Sequence, residues 1–168
     1  KTYLKIVTFA LLLIGFFVFI GEALTKISGM KSAAGAAVGV NPEAGEAIFW
    51  GKGKCGTCHS IGGQGSAVRC PNLDNIGLGA AERAAKRGQK SATEYLVESI
   101  VEPSAYVVEN YKNEMPLVYE PPIALKPEEI LAAITYLQSL GSEVDVAAIK
   151  LPDKVLRASA EPAKPWEP

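Results

Sequence analysis

The stretch Cys55-Gly56-Thr57-Cys58-His59 decides how the rest of the chain is read. Two cysteines two residues apart, followed at once by a histidine, form the attachment pattern of a c-type haem. Two thiols at this spacing can add to the two vinyl groups of one porphyrin. The histidine then falls beneath the ring, where an imidazole nitrogen can bind iron. His59 is the one histidine in the chain. Other readings compete. A thioredoxin-like dithiol calls for a βαβ setting and gives the histidine no task. A zinc site could draw on Cys55, Cys58, His59 and Cys70, but neighbours such as Cys58 and His59 rarely both turn onto one tetrahedral ion. A fortuitous match is the bland option. Covalent haem is the favoured reading.

Working outward, 168 residues allow one ordinary domain with extensions. A formal net charge of −1 and the lack of a dense Lys/Arg run argue against a nucleic-acid partner. Three cysteines make no disulfide framework, because two belong to the motif and Cys70 is left over. Abundant Ala, Gly and Pro with little β-branched alternation point to an all-α fold with structured loops.

Residues 6–21, IVTFALLLIGFFVFIG, carry no charge. As a helix they reach roughly 24 Å. A hydrocarbon core is about 30 Å thick, so Tyr3, Leu4 and the flanks must contribute, with Lys5 snorkelling toward the headgroups. A transmembrane anchor is expected over 1–24, in contact with membrane lipid. Gly21-Glu22-Ala23 resembles a signal-peptide cleavage site, but an uncleaved signal anchor is the expectation. The start at Lys rather than Met leaves room for preceding residues. Residues 25–40 are Gly/Ala-rich and read as a linker, in which Met30 is an ordinary linker or membrane-edge residue rather than an iron ligand.

Asn41-Pro42-Glu43 opens a helix expected to end near Gly51. Its Gly45 and Phe49 share a face, which anticipates close approach of a partner helix. That partner is expected after Lys126-Pro127-Glu128-Glu129, where Ile130, Ile134, Leu137 and Leu140 recur at helical spacing before Gly141. Tyr136 is the expected contact of Phe49. Ser91-x-x-Glu94 is a capping box with Pro103 after the helix end, and a shorter helix fits Gly79–Arg87.

Residues 41–141 together resemble a class I c-type cytochrome. The Gly-x-x-x-Phe helix, the Cys-x-x-Cys-His, Pro71-Asn72-Leu73, Met115-Pro116 and an aromatic C-terminal helix stand in that order. The resemblance implies one haem c, covalent through Cys55 and Cys58, with His59 and Met115 as axial iron ligands. It implies that the Pro71 carbonyl accepts a hydrogen bond from His59 and that Leu73 lines the pocket. Arg69, Trp50 and Tyr111 are candidates for the haem propionates. Cys70 stands where the commoner pattern has Gly, and reads as a small buried apolar residue.

The function expected on this resemblance is one-electron transfer, not catalysis, through the haem edge near the thioethers. Lys52 and Lys54 would steer an acidic redox donor or acceptor, with Glu109, Glu114 and Glu120 around the distal loop. The resemblance extends to monohaem cytochrome subunits of respiratory or photosynthetic membrane complexes, such as the quinol-oxidising alternative complex III or an oxidase-associated cytochrome. A free-standing tethered shuttle is the alternative. A haem peroxidase or gas sensor with a labile Met is the alternative of another class. Haem attachment outside the bacterial cytoplasm implies a single-pass inner-membrane protein with its haem domain on the periplasmic face. The extension 142–168, with Val144, Val146, Ile149, Leu151 and Val155 before its Pro-rich end, is expected to lie against another subunit.

Overall fold

The computed structural model describes residues 2–27, 39–66, 68–89 and 91–158. Most of the linker, Met30 and the Pro-rich end at 159–168 therefore lie outside the described residues. The chain divides into two units, Lys1–Ala37 and Val38–Pro168.

The first unit holds α1, Thr2–Ile27, 26 residues long and so a little longer than expected. Its apolar side chains from Ile6 to Ile20 are all exposed. Among the described residues no helix is long and apolar enough to cross a membrane.

The second unit is helical, with α2 (Pro42–Trp50), α3 (Ile76–Arg87), α4 (Ala92–Val101), α5 (Pro127–Ser139) and α6 (Asp153–Ala158). The caps explain several boundaries. Asn41 Oδ1 accepts from Ala44 N at 2.8 Å, and Pro42 occupies the first turn, where its missing N–H costs nothing. Ser91 Oγ accepts from Glu94 N at 3.1 Å and starts α4. Glu129 reaches back to Lys126 N at 2.7 Å and starts α5.

α2 crosses α5 at Gly45. A Cβ there would lie 2.0 Å from the Ala132 carbonyl oxygen and 2.6 Å from Tyr136 Cβ, so any side chain would force the helices apart. One turn on, the Phe49 and Tyr136 rings meet edge-on, centroids 5.7 Å apart. Phe49, Ile130 and Ile134 are buried in the same core, each contributing about 1.5–3 kcal/mol by burial. The expected α2–α5 clamp is present.

Three features depart from expectation. A two-stranded hairpin, β1 (Ser60–Ile61) with β2 (Gln64–Gly65), follows the cysteine motif, so the unit is mostly rather than purely helical. α3 begins at Ile76, before Gly79, because Gly77 N donates to the Leu140 carbonyl at 2.9 Å and docks that turn on the end of α5. The extension, expected to face another subunit, packs on its own domain as far as residue 158. Ile149 and Val155 are buried, and Lys154 pairs with Glu102. Gln138, buried at 2 % exposure, donates to Thr93 Oγ1 at 2.9 Å and accepts from Asp145 N at 3.2 Å. One amide thus ties α4, α5 and the extension together, and removing it would orphan buried partners.

Candidate haem site

Lys54 takes a left-handed conformation (φ 56°) and turns the chain into the one-turn 3-10 helix Cys55–Thr57. Cys58 N and His59 N both donate to the Cys55 carbonyl, at 3.1 and 2.9 Å. This turn brings Cys55, Cys58 and His59 to one cavity. Trp50 lies on its outer side, so close that a Cβ on Gly56 would sit 2.5 Å from the indole.

The loop after the hairpin is stapled to the motif. Leu73 N donates to the Ser60 carbonyl at 2.9 Å, and Asn72 Nδ2 donates to Ser60 Oγ at 2.9 Å. Gly62 N donates to Asp74 Oδ1 at 2.6 Å, and Asp74 N to Asn72 Oδ1 at 2.9 Å. These bonds set the Pro71 carbonyl 2.8 Å from His59 Nδ1. A carbonyl can only accept, so Nδ1 carries the proton and Nε2 keeps its lone pair. Burial holds the imidazole below the ordinary histidine pKa, opposed by the Pro71 bond, which favours the charged form. The chain thus presents a neutral, oriented imidazole.

Cys55, Cys58, His59, Pro71, Leu73 and Met115 all line one cavity of about 230 Å³. Phe49, Ile76, Leu96, Val118 and Leu137 supply apolar walls from α2, α3, α4, the distal loop and α5. Burial pushes the Cys55 thiol up to about 11. Cys70 also lines the cavity, hydrogen-bonded to Cys58, and its thiol is raised first by burial and then by that neighbour. It is half-buried rather than fully buried. Among the described residues no group of three or more His, Cys, Asp or Glu could hold a metal ion, which leaves the zinc reading without a geometry. A paired-thiol turn, one oriented imidazole, one thioether and apolar walls do fit a haem.

The other candidates separate. Trp50 lies off the cavity, its N–H bonded to the Tyr136 hydroxyl. Arg69 lines the cavity but is paired with Glu114, Nε to Oε2 at 3.0 Å. Tyr111 lines it as well. Arg83 of α3 was not singled out by sequence. It is half-buried in the cavity wall, 6.0 Å from the Tyr95 ring, with no carboxylate pair among the described residues. Lys52 is engaged by Glu129 at 2.5 Å, so of the two lysines proposed to steer a partner only Lys54 lacks an ion pair among the described residues.

A helical period places Arg83 on the face of α3 that carries Ile76 and Ala80, the signal that could have identified it. Asn72 lies within the Pro-Asn-Leu segment and Asp74 directly follows it, but only the hairpin reveals their partners. No curated protein matches the chain. The family model for cytochrome c matches residues 42–141, from the first residue of α2 to the glycine that follows α5. Its members carry haem c on a cysteine pair and transfer electrons rather than turn over a substrate. Covering well over half the chain and every element that builds the cavity, that match establishes that this protein belongs to the cytochrome c family.

Proposed function

We propose that this cytochrome is a one-electron relay whose iron is held by His59 and Met115 and whose haem domain is anchored beside its partners by α1. One observation carries the reading. Six residues from three separate stretches, 55–59, 71–73 and 115, meet at one cavity, with His59 already oriented by the Pro71 carbonyl.

When bound, haem supplies a ferric/ferrous couple, and a thioether ligand favours the ferrous state. The chain's own residues do the rest. Cys55 and Cys58 fix the macrocycle by thioethers on a turn braced by Trp50. His59 donates Nε2, and its Pro71 bond strengthens that donation. Met115 would supply the second protein ligand, which would leave no site for substrate. Arg83, a cation with no carboxylate pair among the described residues, offers a counter-charge to the porphyrin carboxylates. Apolar walls exclude water and limit rearrangement as charge changes.

Anchoring is supported by the uncharged run 6–21 within a 26-residue helix. At full length such a helix reaches about 39 Å, more than the hydrocarbon thickness. Haem domains of this family typically lie outside the cytoplasm, which favours a periplasmic-facing, single-pass inner-membrane subunit of an electron-transport complex. The absorption spectrum of the ferric holoprotein tests the iron ligands. A weak long-wavelength band of methionine–iron charge transfer and no carbon monoxide binding by the ferrous form are expected. A high-spin spectrum with rapid binding would instead favour a peroxidase or gas sensor. Co-migration of other subunits after membrane extraction is expected, and isolation alone would favour a tethered shuttle.

A further inference from the structure

The cavity has two rims of unlike construction. The cysteine side is held by the backbone and side-chain bonds of the hairpin and the 71–74 loop. The Met115 side, residues 107–117, is irregular, with Asn110 in the left-handed region (φ 69°) and short internal bonds such as Glu114 N to the Lys112 carbonyl at 2.9 Å. Ser104, in the turn after α4, donates to Asn113 Oδ1 at 3.4 Å, a long contact that ties the loop to its own stem. Among the described residues, one ion pair crosses from this loop to the cysteine side. Arg69, just after the hairpin, donates from Nε and from a terminal nitrogen to Glu114 Oε2. The partners are 45 residues apart, and Glu114 immediately precedes Met115.

We infer that the Arg69–Glu114 ion pair is a latch across the cavity mouth that keeps the Met115 thioether on the iron. The inference rests on the ligand reading above. Arg69 and Glu114 act through Met115 and are positioning residues. To release its sulfur, Met115 must swing with its loop, and the opened loop cannot keep the guanidinium on Glu114. The pair therefore stabilises the closed state and not the open one, which slows opening as local contacts do elsewhere. Both side chains are exposed, 64 % and 36 %, so the effect is modest and screened by salt. Its consequence is selectivity, because small ligands are kept from the sixth position without a rigid loop.

The test is the rate at which imidazole displaces the thioether in ferric holoprotein, followed by loss of the methionine–iron band. Glu114→Gln and Arg69→Gln are each expected to speed exchange by about two- to five-fold. The swap Arg69→Glu with Glu114→Arg is expected to return it to within about twofold of the parent. Glu109→Gln, which removes the same charge from the same loop, is expected to leave it unchanged. Raising salt to ~1 M should bring the parent up to the variants' rate and leave the variants where they are. Unfolding midpoints matching the parent's would separate a latch from general weakening. If Glu114→Gln exchanges no faster than Glu109→Gln, or the swap restores nothing, the latch is wrong while the ligand reading stands. If the parent itself lacks the band, the ligand reading fails and takes the latch with it.

Discussion

The two sides of the cavity carry comparable duties and are built very differently. On the cysteine side, Asn72, Asp74 and the Leu73 amide interlock with the hairpin, and their product is one carbonyl placed 2.8 Å from His59 Nδ1. On the methionine side, residues 107–117 form an irregular loop, and among the described residues one exposed ion pair crosses from it to the cysteine side. His59 belongs to the attachment turn and shares its bracing. Met115, the second iron ligand we propose, sits on a loop without that bracing. A relay of this design should fail completely when its cysteine side is damaged and only by degrees when its methionine side is.

The largest effect should come from the attachment turn. Replacing both Cys55 and Cys58 with Ala is expected to abolish covalent haem, read as complete loss of haem stain on a denaturing gel. Met115→Leu should leave that stain intact but lower the midpoint potential by on the order of 0.1–0.3 V, read by redox titration. An unchanged potential would remove Met115 from the iron. Asn72→Ala deletes two of the staples and should cost about 1–2 kcal/mol in denaturant unfolding, with faster amide exchange at Leu73 and Asp74. Smallest is the latch, where Glu114→Gln should shift exchange by only about two- to five-fold and unfolding hardly at all.

The α2–α5 clamp offers a control outside this comparison. Gly45→Val would drive methyl groups into the Ala132 carbonyl, so a loss of about 3 kcal/mol or more is expected, with both rims weakened alike. Circular dichroism melts of the holoprotein would measure it.

What could be read from sequence follows the range of the interaction. Asn41-Pro42, Ser91-x-x-Glu94 and the Ile130, Ile134, Leu137 stripe act within one or two turns, and their helices are where they were expected. Cys55, Cys58 and His59 were legible because one turn holds them. The hairpin has two residues per strand, too few for alternation to register, and was missed. The early start of α3 was hidden by Gly77 and Gly79, which read as helix breakers until the end of α5 is seen against them. Contacts across tens of residues leave no periodic trace. The pairing of Arg69, a candidate for the porphyrin, with Glu114 was therefore not legible, and Arg83 was passed over. The scattered apolar residues of the extension are in the same way ambiguous, and only the fold shows Ile149 and Val155 joining the domain's own core.

An electron relay of this design depends on the two proposed iron ligands. Iron-edge X-ray absorption of the ferrous holoprotein measures them most directly. It is expected to show one sulfur scatterer among nitrogens, lost in Met115→Leu and retained in Glu114→Gln. A shell of nitrogen alone, or a sulfur that survives Met115→Leu, would contradict it.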